Sequence, residues 1–114
     1  MLKKGLRLQK KEDFDRVFRF GKPLFFGEVG CRYLLDAPSI RLGFSLGKKH
    51  LPLAIDRNRF RRVFSEVFYK HQEEWPQAGD ILFFLVKKPK KVDTKQTEKI
   101  MQSLFQTINK NRKA

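Results

Sequence analysis

Phe14, Val17 and Phe18 recur at i, i+3 and i+4, the spacing that gathers side chains on one face of an α-helix. Gly21 follows where a helix wants a left-handed closing residue, so the pattern predicts a short helix from about Glu12 to Phe20. From Leu24 to Leu35 aromatic and branched residues are punctuated by Gly27 and Gly30, and Asp36-Ala37-Pro38-Ser39 supplies turn chemistry, which predicts one strand or two short ones. Arg41 to Leu46 then alternates polar and apolar with period two, as a half-buried strand does, and Gly47-Lys48-Lys49-His50 ends it.

Pro52 suits the first turn of a second helix, whose apolar stripe is Phe60, Val63, Phe64, Val67 and Phe68. Trp75 to Asp80 reads as a loop. Ile81 to Val86 reads as a strand apolar on both faces, hence central in a covered sheet. Pro89 breaks the chain after that strand. Asp93 with Gln96 resembles a capping box, and Met101, Leu104, Phe105 and Ile108 form a last helical stripe, with a frayed tail at Lys110 to Ala114. The order is helix, two or three strands, helix, strand, helix: one α+β domain over residues 1–114 built around a mixed sheet, with sequence enough for one modest core and no internal repeat.

Charge changes this picture. Lys and Arg number 26 against 12 Asp and Glu, a net charge of +14 and a pI near 10.3. The excess recurs along the whole chain, from Lys3, Lys4, Arg7, Lys10 and Lys11 through Arg57–Arg62 to Lys87–Lys91. Nucleic acid is the leading partner, because neutralising phosphates releases condensed counterions and rewards such a surface; an anionic membrane surface comes second. The apolar stripes are those the fold needs for its core, which argues against a membrane-surface helix. The longest apolar run, Ile81 to Val86, is far too short to span a bilayer, and the first residues lack the apolar stretch of a secretory signal, so a cytoplasmic location is expected. Cys31 is the single cysteine, which excludes an internal disulfide and a zinc site built on paired thiolates.

On the second helix, Asn58, Arg62, Ser65 and Tyr69 fall opposite the apolar stripe, with Arg59 and Arg61 on its flanks. Guanidinium forks bind phosphate oxygens bidentately, an amide donates and accepts, and a tyrosine ring stacks or hydrogen-bonds. A basic helix face is ordinarily just solvated; here the missing balancing acids and the adjoining Lys48 and Lys49 point to a bound polyanion.

Arg57-Asn58-Arg59-Phe60-Arg61-Arg62 resembles the arginine-asparagine-arginine signature of the bacterial ribonuclease P protein subunit. The likeness extends to Leu42-Gly43-Phe44-Ser45-Leu46-Gly47-Lys48-Lys49, to Asp13-Phe14-Asp15-Arg16-Val17-Phe18 with Gly21, and to Gly79 through Val86 followed by Lys87 and Lys88, roughly positions 6 to 108. The resemblance implies helices packed on a sheet, with the signature helix in a left-handed crossover between parallel strands, against the usual preference. It implies contacts to the catalytic RNA at Lys48, Lys49, Arg57, Asn58, Arg59, Arg61 and Arg62, and a cleft for the single-stranded 5′ leader of precursor tRNA at Phe14, Phe18 and Tyr33. Ser65 stands where the family often has arginine, and Asp56 precedes the signature with a charge that repels phosphate.

No catalytic residue is expected in this chain. His50 and His71 are 21 positions apart with no evident nucleophile beside either, there is no glycine-rich phosphate loop, and Glu73-Glu74 is a poor basis for a metal site. The resemblance implies an accessory subunit of an endoribonuclease whose RNA does the chemistry, with Mg²⁺ held with the RNA, no cofactor or metal on the protein itself and no obligate protein partner. Composition alone also fits a ribosomal protein or a general RNA chaperone.

Overall fold

Alternating side chains and helical stripes become three helices on a four-stranded sheet in the computed structural model, which describes residues 4–37, 39–76, 78–90 and 92–112. In chain order the elements are α1 (Lys11–Phe20), β1 (Lys22–Phe26), β2 (Val29–Leu34), β3 (Ile40–Ser45), α2 (Ala54–Lys70), β4 (Gly79–Leu85) and α3 (Thr94–Arg112). Short 3-10 turns at Lys4–Leu6 and Gln72–Glu74 precede α1 and follow α2. Met1 to Lys3, Pro38 of the expected turn, Gln77 of the expected loop, Lys91 of the basic run and residues 113–114 of the expected tail lie outside the described residues; α3 itself continues through Lys110 to Arg112.

The sheet order is β1-β2-β4-β3. β1 and β2 form an antiparallel hairpin, β2 pairs antiparallel with β4, and β3 runs parallel to β4, so the doubly apolar strand does occupy the interior of a mixed sheet. Period-two alternation then divides the side chains between two layers. Val29, Cys31 and Tyr33 of β2, Ile40 and Leu42 of β3, and Ile81, Phe83 and Leu85 of β4 face α2 and α3. Leu82 joins Leu8, Val17 and the half-buried Phe14 and Leu34 in a smaller cluster under α1.

The main core is rich in phenylalanine. Phe60 and Phe64, one turn apart on α2, stack with ring centroids 4.1 Å apart, and Phe64 meets Phe83 of β4 edge-on at 5.0 Å. Each such ring withdrawn from water contributes roughly 1.5–3 kcal/mol, which holds α2 to the sheet. At the far end of α2, Trp75 stacks on Phe68 at 4.4 Å and donates its indole N–H to the Phe68 carbonyl at 2.8 Å, closing the turn toward β4. Asp93 caps α3 by accepting the Gln96 backbone N–H at 2.8 Å, the forward half of the expected box.

Two local expectations are corrected. Gly21 ends α1 with φ −72° and ψ 151°, so it is extended and not left-handed. Glycine is required there because a Cβ would overlap the Val17 carbonyl oxygen and crowd the Tyr33 carbonyl oxygen at 3.2 Å, where α1 comes down onto β2. Pro52 lies ahead of the helix, since α2 begins at Ala54 after Leu53 as N-cap.

Cys31 is fully buried in β2, and burial pushes its thiol well above the ordinary value of 9.0. Because the thiolate is the nucleophile, the folded chain is expected to resist iodoacetamide at pH 8 and to react promptly in guanidinium. Mass spectrometry checks this, and equal rates in the two conditions would contradict the burial.

Candidate nucleic-acid interface

α2 carries the signature arginines, and its turns sort them into different jobs. Asn58, Arg59 and Arg62 are exposed, as are Lys48 and Lys49 in the turn after β3. Arg57 is half-buried and folds back, donating to the Leu51 carbonyl at 2.7 Å and the Pro52 carbonyl at 3.0 Å, so that it clasps the segment entering the helix. Arg61 donates to the Asn58 side-chain oxygen at 3.2 Å, three residues back.

Ser65 is buried and not part of the exposed face. Beside it, Arg7 forms a parallel bridge with Leu42, and the Leu8 N–H donates to the Leu42 carbonyl at 3.0 Å. That segment covers the β3 edge and leaves a groove of about 200 Å³ whose walls include Arg7, Phe14, Gly43, Phe44, Arg61 and Ser65. Phe14 of α1 and Arg61 of α2 thus border one depression.

Along α1, Phe14 is half-buried over the sheet and Phe18 is 38% exposed. Phe18 lies against Phe84 of β4 at 5.7 Å between centroids, and Phe25 of β1 meets the same ring edge-on at 6.2 Å. Gly30 makes this possible, because a Cβ at that point of β2 would overlap the Phe84 ring. The result is an aromatic floor with open faces, a surface on which unpaired bases can stack.

Tyr33 is not brought to this cleft. It is 3% exposed in the core on the α2 and α3 side, because its register neighbour Arg32 takes the α1 side and donates to the Gly21 carbonyl at 3.2 Å. The residues that sequence reasoning passed over are Phe84, Phe25 and Arg7. Alternation within Ile81 to Leu85 does carry a signal for Phe84, since it must face away from Phe83.

One ion-pair network fixes the cleft. Asp80 of β4 is wholly buried and takes a two-pronged bond from Arg41 of β3, Nε at 2.7 Å and Nη2 at 2.8 Å, while Nη1 reaches Asp13 of α1 at 3.1 Å. The hydrogen bond to Asp80 holds the Arg41 guanidinium above its ordinary range, against the opposing effect of burial. A single guanidinium therefore ties two strands to α1, the helix that carries Phe14 and Phe18.

Comparison with known proteins decides the family. The Ribonuclease P family model matches residues 2–109. The chain belongs to the ribonuclease P protein family. The Ribonuclease P protein component of Bacillus pumilus is 33% identical over 107 residues, covering 91% of this chain and 88% of that one. That of Desulforamulus reducens is 31% identical over 118 residues, covering 98% and 99%. Among solved structures, the RNase P protein of Staphylococcus aureus superposes with a TM-score of 0.76 at 24% identity over 90% of this chain and 94% of that one, a likeness of fold. The RNase P protein from Thermotoga maritima gives 0.74 at 25% identity, covering 87% and 94%.

Membership ties the chain to a tRNA-processing ribonucleoprotein nuclease and favours that reading over the ribosomal protein or RNA chaperone that composition left open. Among the described residues, no group of three or more His, Cys, Asp or Glu is placed to hold a metal ion, and no helix is long and apolar enough to cross a membrane. His71 is engaged by Glu74 at 3.1 Å, and Lys70 by Glu98 at 3.2 Å.

Proposed function

We propose that this chain binds the catalytic RNA of ribonuclease P through Lys48, Lys49, Arg57, Asn58, Arg59, Arg61 and Arg62, and the 5′ leader of precursor tRNA through the cleft at Phe14 and Phe18, with Phe84 and Phe25 extending its floor. The observation that carries the reading is the groove that Phe14 and Arg61 share, which brings one ring of α1 and one signature guanidinium to the same depression. A leader strand lying on the rings would pass directly beside the RNA held by α2.

In this account the RNA cuts and the protein positions. Bringing a leader against a folded RNA sets phosphate against phosphate, and a net charge of +14 offsets that repulsion, so less Mg²⁺ is needed to screen it. Mg²⁺ would be held with the RNA. The protein then acts in the cytoplasm, with no obligate protein partner.

The experiment is a salt titration of affinity for a bacterial ribonuclease P RNA. Affinity is expected to fall steeply with salt, and Arg62→Ala to flatten the slope of log affinity against log salt by about 0.9, one phosphate's worth. An unchanged slope and affinity would mean that the exposed face of α2 is merely solvated.

A further inference from the structure

We infer that the connection between β4 and α3 adds a second phosphate-binding groove for the same RNA, formed by Lys88 and Lys90 together with Arg59 of α2. This rests on the proposed contact between α2 and the catalytic RNA and extends it to residues outside the signature.

Between Leu85 and Thr94 the chain presents Lys87, Lys88 and Lys90 exposed to solvent. The segment is not loosely attached. Val92 packs against the main core, and its carbonyl accepts a bond from Arg59 Nη2 at 3.3 Å. That bond draws a signature guanidinium off the helix and sets it among the loop lysines. The three cations border a groove of about 230 Å³ with Leu51 and Val92 as apolar lining and, among the described residues, Asp56 as its one carboxylate. Among the described residues, none of Arg59, Lys88 and Lys90 forms a salt bridge.

Surfaces shaped only for solubility intersperse the two signs of charge. Here three cations converge on a concave site beside Asp56, and their mutual repulsion is relieved by a polyanion. Each of these cationic groups is a donor with no acceptor, which suits phosphate oxygens. Arg59 belongs both to this groove and to the α2 face, so one RNA backbone crossing α2 continues into it.

The test uses the full chain, a bacterial ribonuclease P RNA and three variants: Lys88→Ala/Lys90→Ala, Asp56→Asn and Arg62→Ala, each confirmed folded by circular dichroism. Two phosphate contacts fewer should flatten the salt slope by about 1.8, so that between about 50 and 200 mM salt the double variant loses about 12-fold less affinity than the parent. Asp56→Asn should tighten binding, because it removes a charge in the groove that repels phosphate. If the double variant keeps the parental slope while Arg62→Ala flattens it, the groove makes no contact and the inference fails while the α2 reading stands. If neither variant changes the slope, both fail. Parental RNA binding by the double variant with lost affinity for anionic phosphatidylserine vesicles would assign the groove to a membrane surface and also overturn the inference.

Discussion

Arg41→Ala is expected to destabilise the fold by roughly 3–5 kcal/mol, the cost of stripping the partner from a buried charge. Asp80 is 0% exposed, and both its carboxylate oxygens are bound by the Arg41 fork. Without the guanidinium, that carboxylate must either stay charged in an apolar layer or take up a proton, and each choice favours the unfolded chain. Thermal melting should show a fall of more than about 10 °C. Arg41→Lys should recover only part of it, since an ammonium cannot reproduce the two-pronged geometry. Asp13→Asn should cost much less, because the Asp13 side chain is about one-fifth exposed and lies at the outer end of the network. A melt of Arg41→Ala within a few degrees of the parent would show that the network does not hold α1 and the strands together.

Phe18→Leu should weaken precursor-tRNA binding by roughly five-fold or more while leaving mature tRNA nearly unaffected. The substitution keeps apolar volume and removes the stacking face, and base stacking on an aromatic ring is worth about 1–3 kcal/mol. Because Phe84 lies against Phe18, Phe84→Leu should act in the same direction and the pair should be non-additive. Arg59→Ala should behave differently: it should weaken assembly with the catalytic RNA, and saturating protein should largely restore precursor binding. Melting curves must show the variants folded, since a packing role for Phe18 predicts lost stability with no dependence on the leader. Equal losses for precursor and mature tRNA in a folded Phe18→Leu protein would remove the cleft from the account and leave α2 untouched.

The elements of this fold were legible because their periods are clean. The stripe from Phe60 to Phe68 and the alternation from Arg41 to Leu46 each allow one reading, and the apolar run from Ile81 requires an interior strand. What escaped depended on partners distant in sequence. Ser65 faces solvent by helix geometry alone, whereas its burial beside a groove that it lines with Arg7, Phe14 and Phe44 is a tertiary fact. Tyr33 suited base stacking by residue type, but its face is set by pairing with Lys22 on one side and Ile81 on the other. A one-residue difference in register exchanges Arg32 for Tyr33 at the cleft. Gly21 marks a helix end in the sequence, whereas the close approach of α1 to β2 that requires glycine there is a tertiary fact.

Reconstitution tests the central claim most directly: the purified chain is combined with a bacterial ribonuclease P RNA, and precursor-tRNA cleavage is followed across a Mg²⁺ series. The RNA alone should cut slowly and only with ample Mg²⁺, the protein alone should not cut, and the two together should cleave at the mature 5′ end at Mg²⁺ concentrations where the RNA alone is silent. Cleavage at that position by protein freed of RNA, or a Mg²⁺ requirement unmoved by saturating protein, would contradict the account.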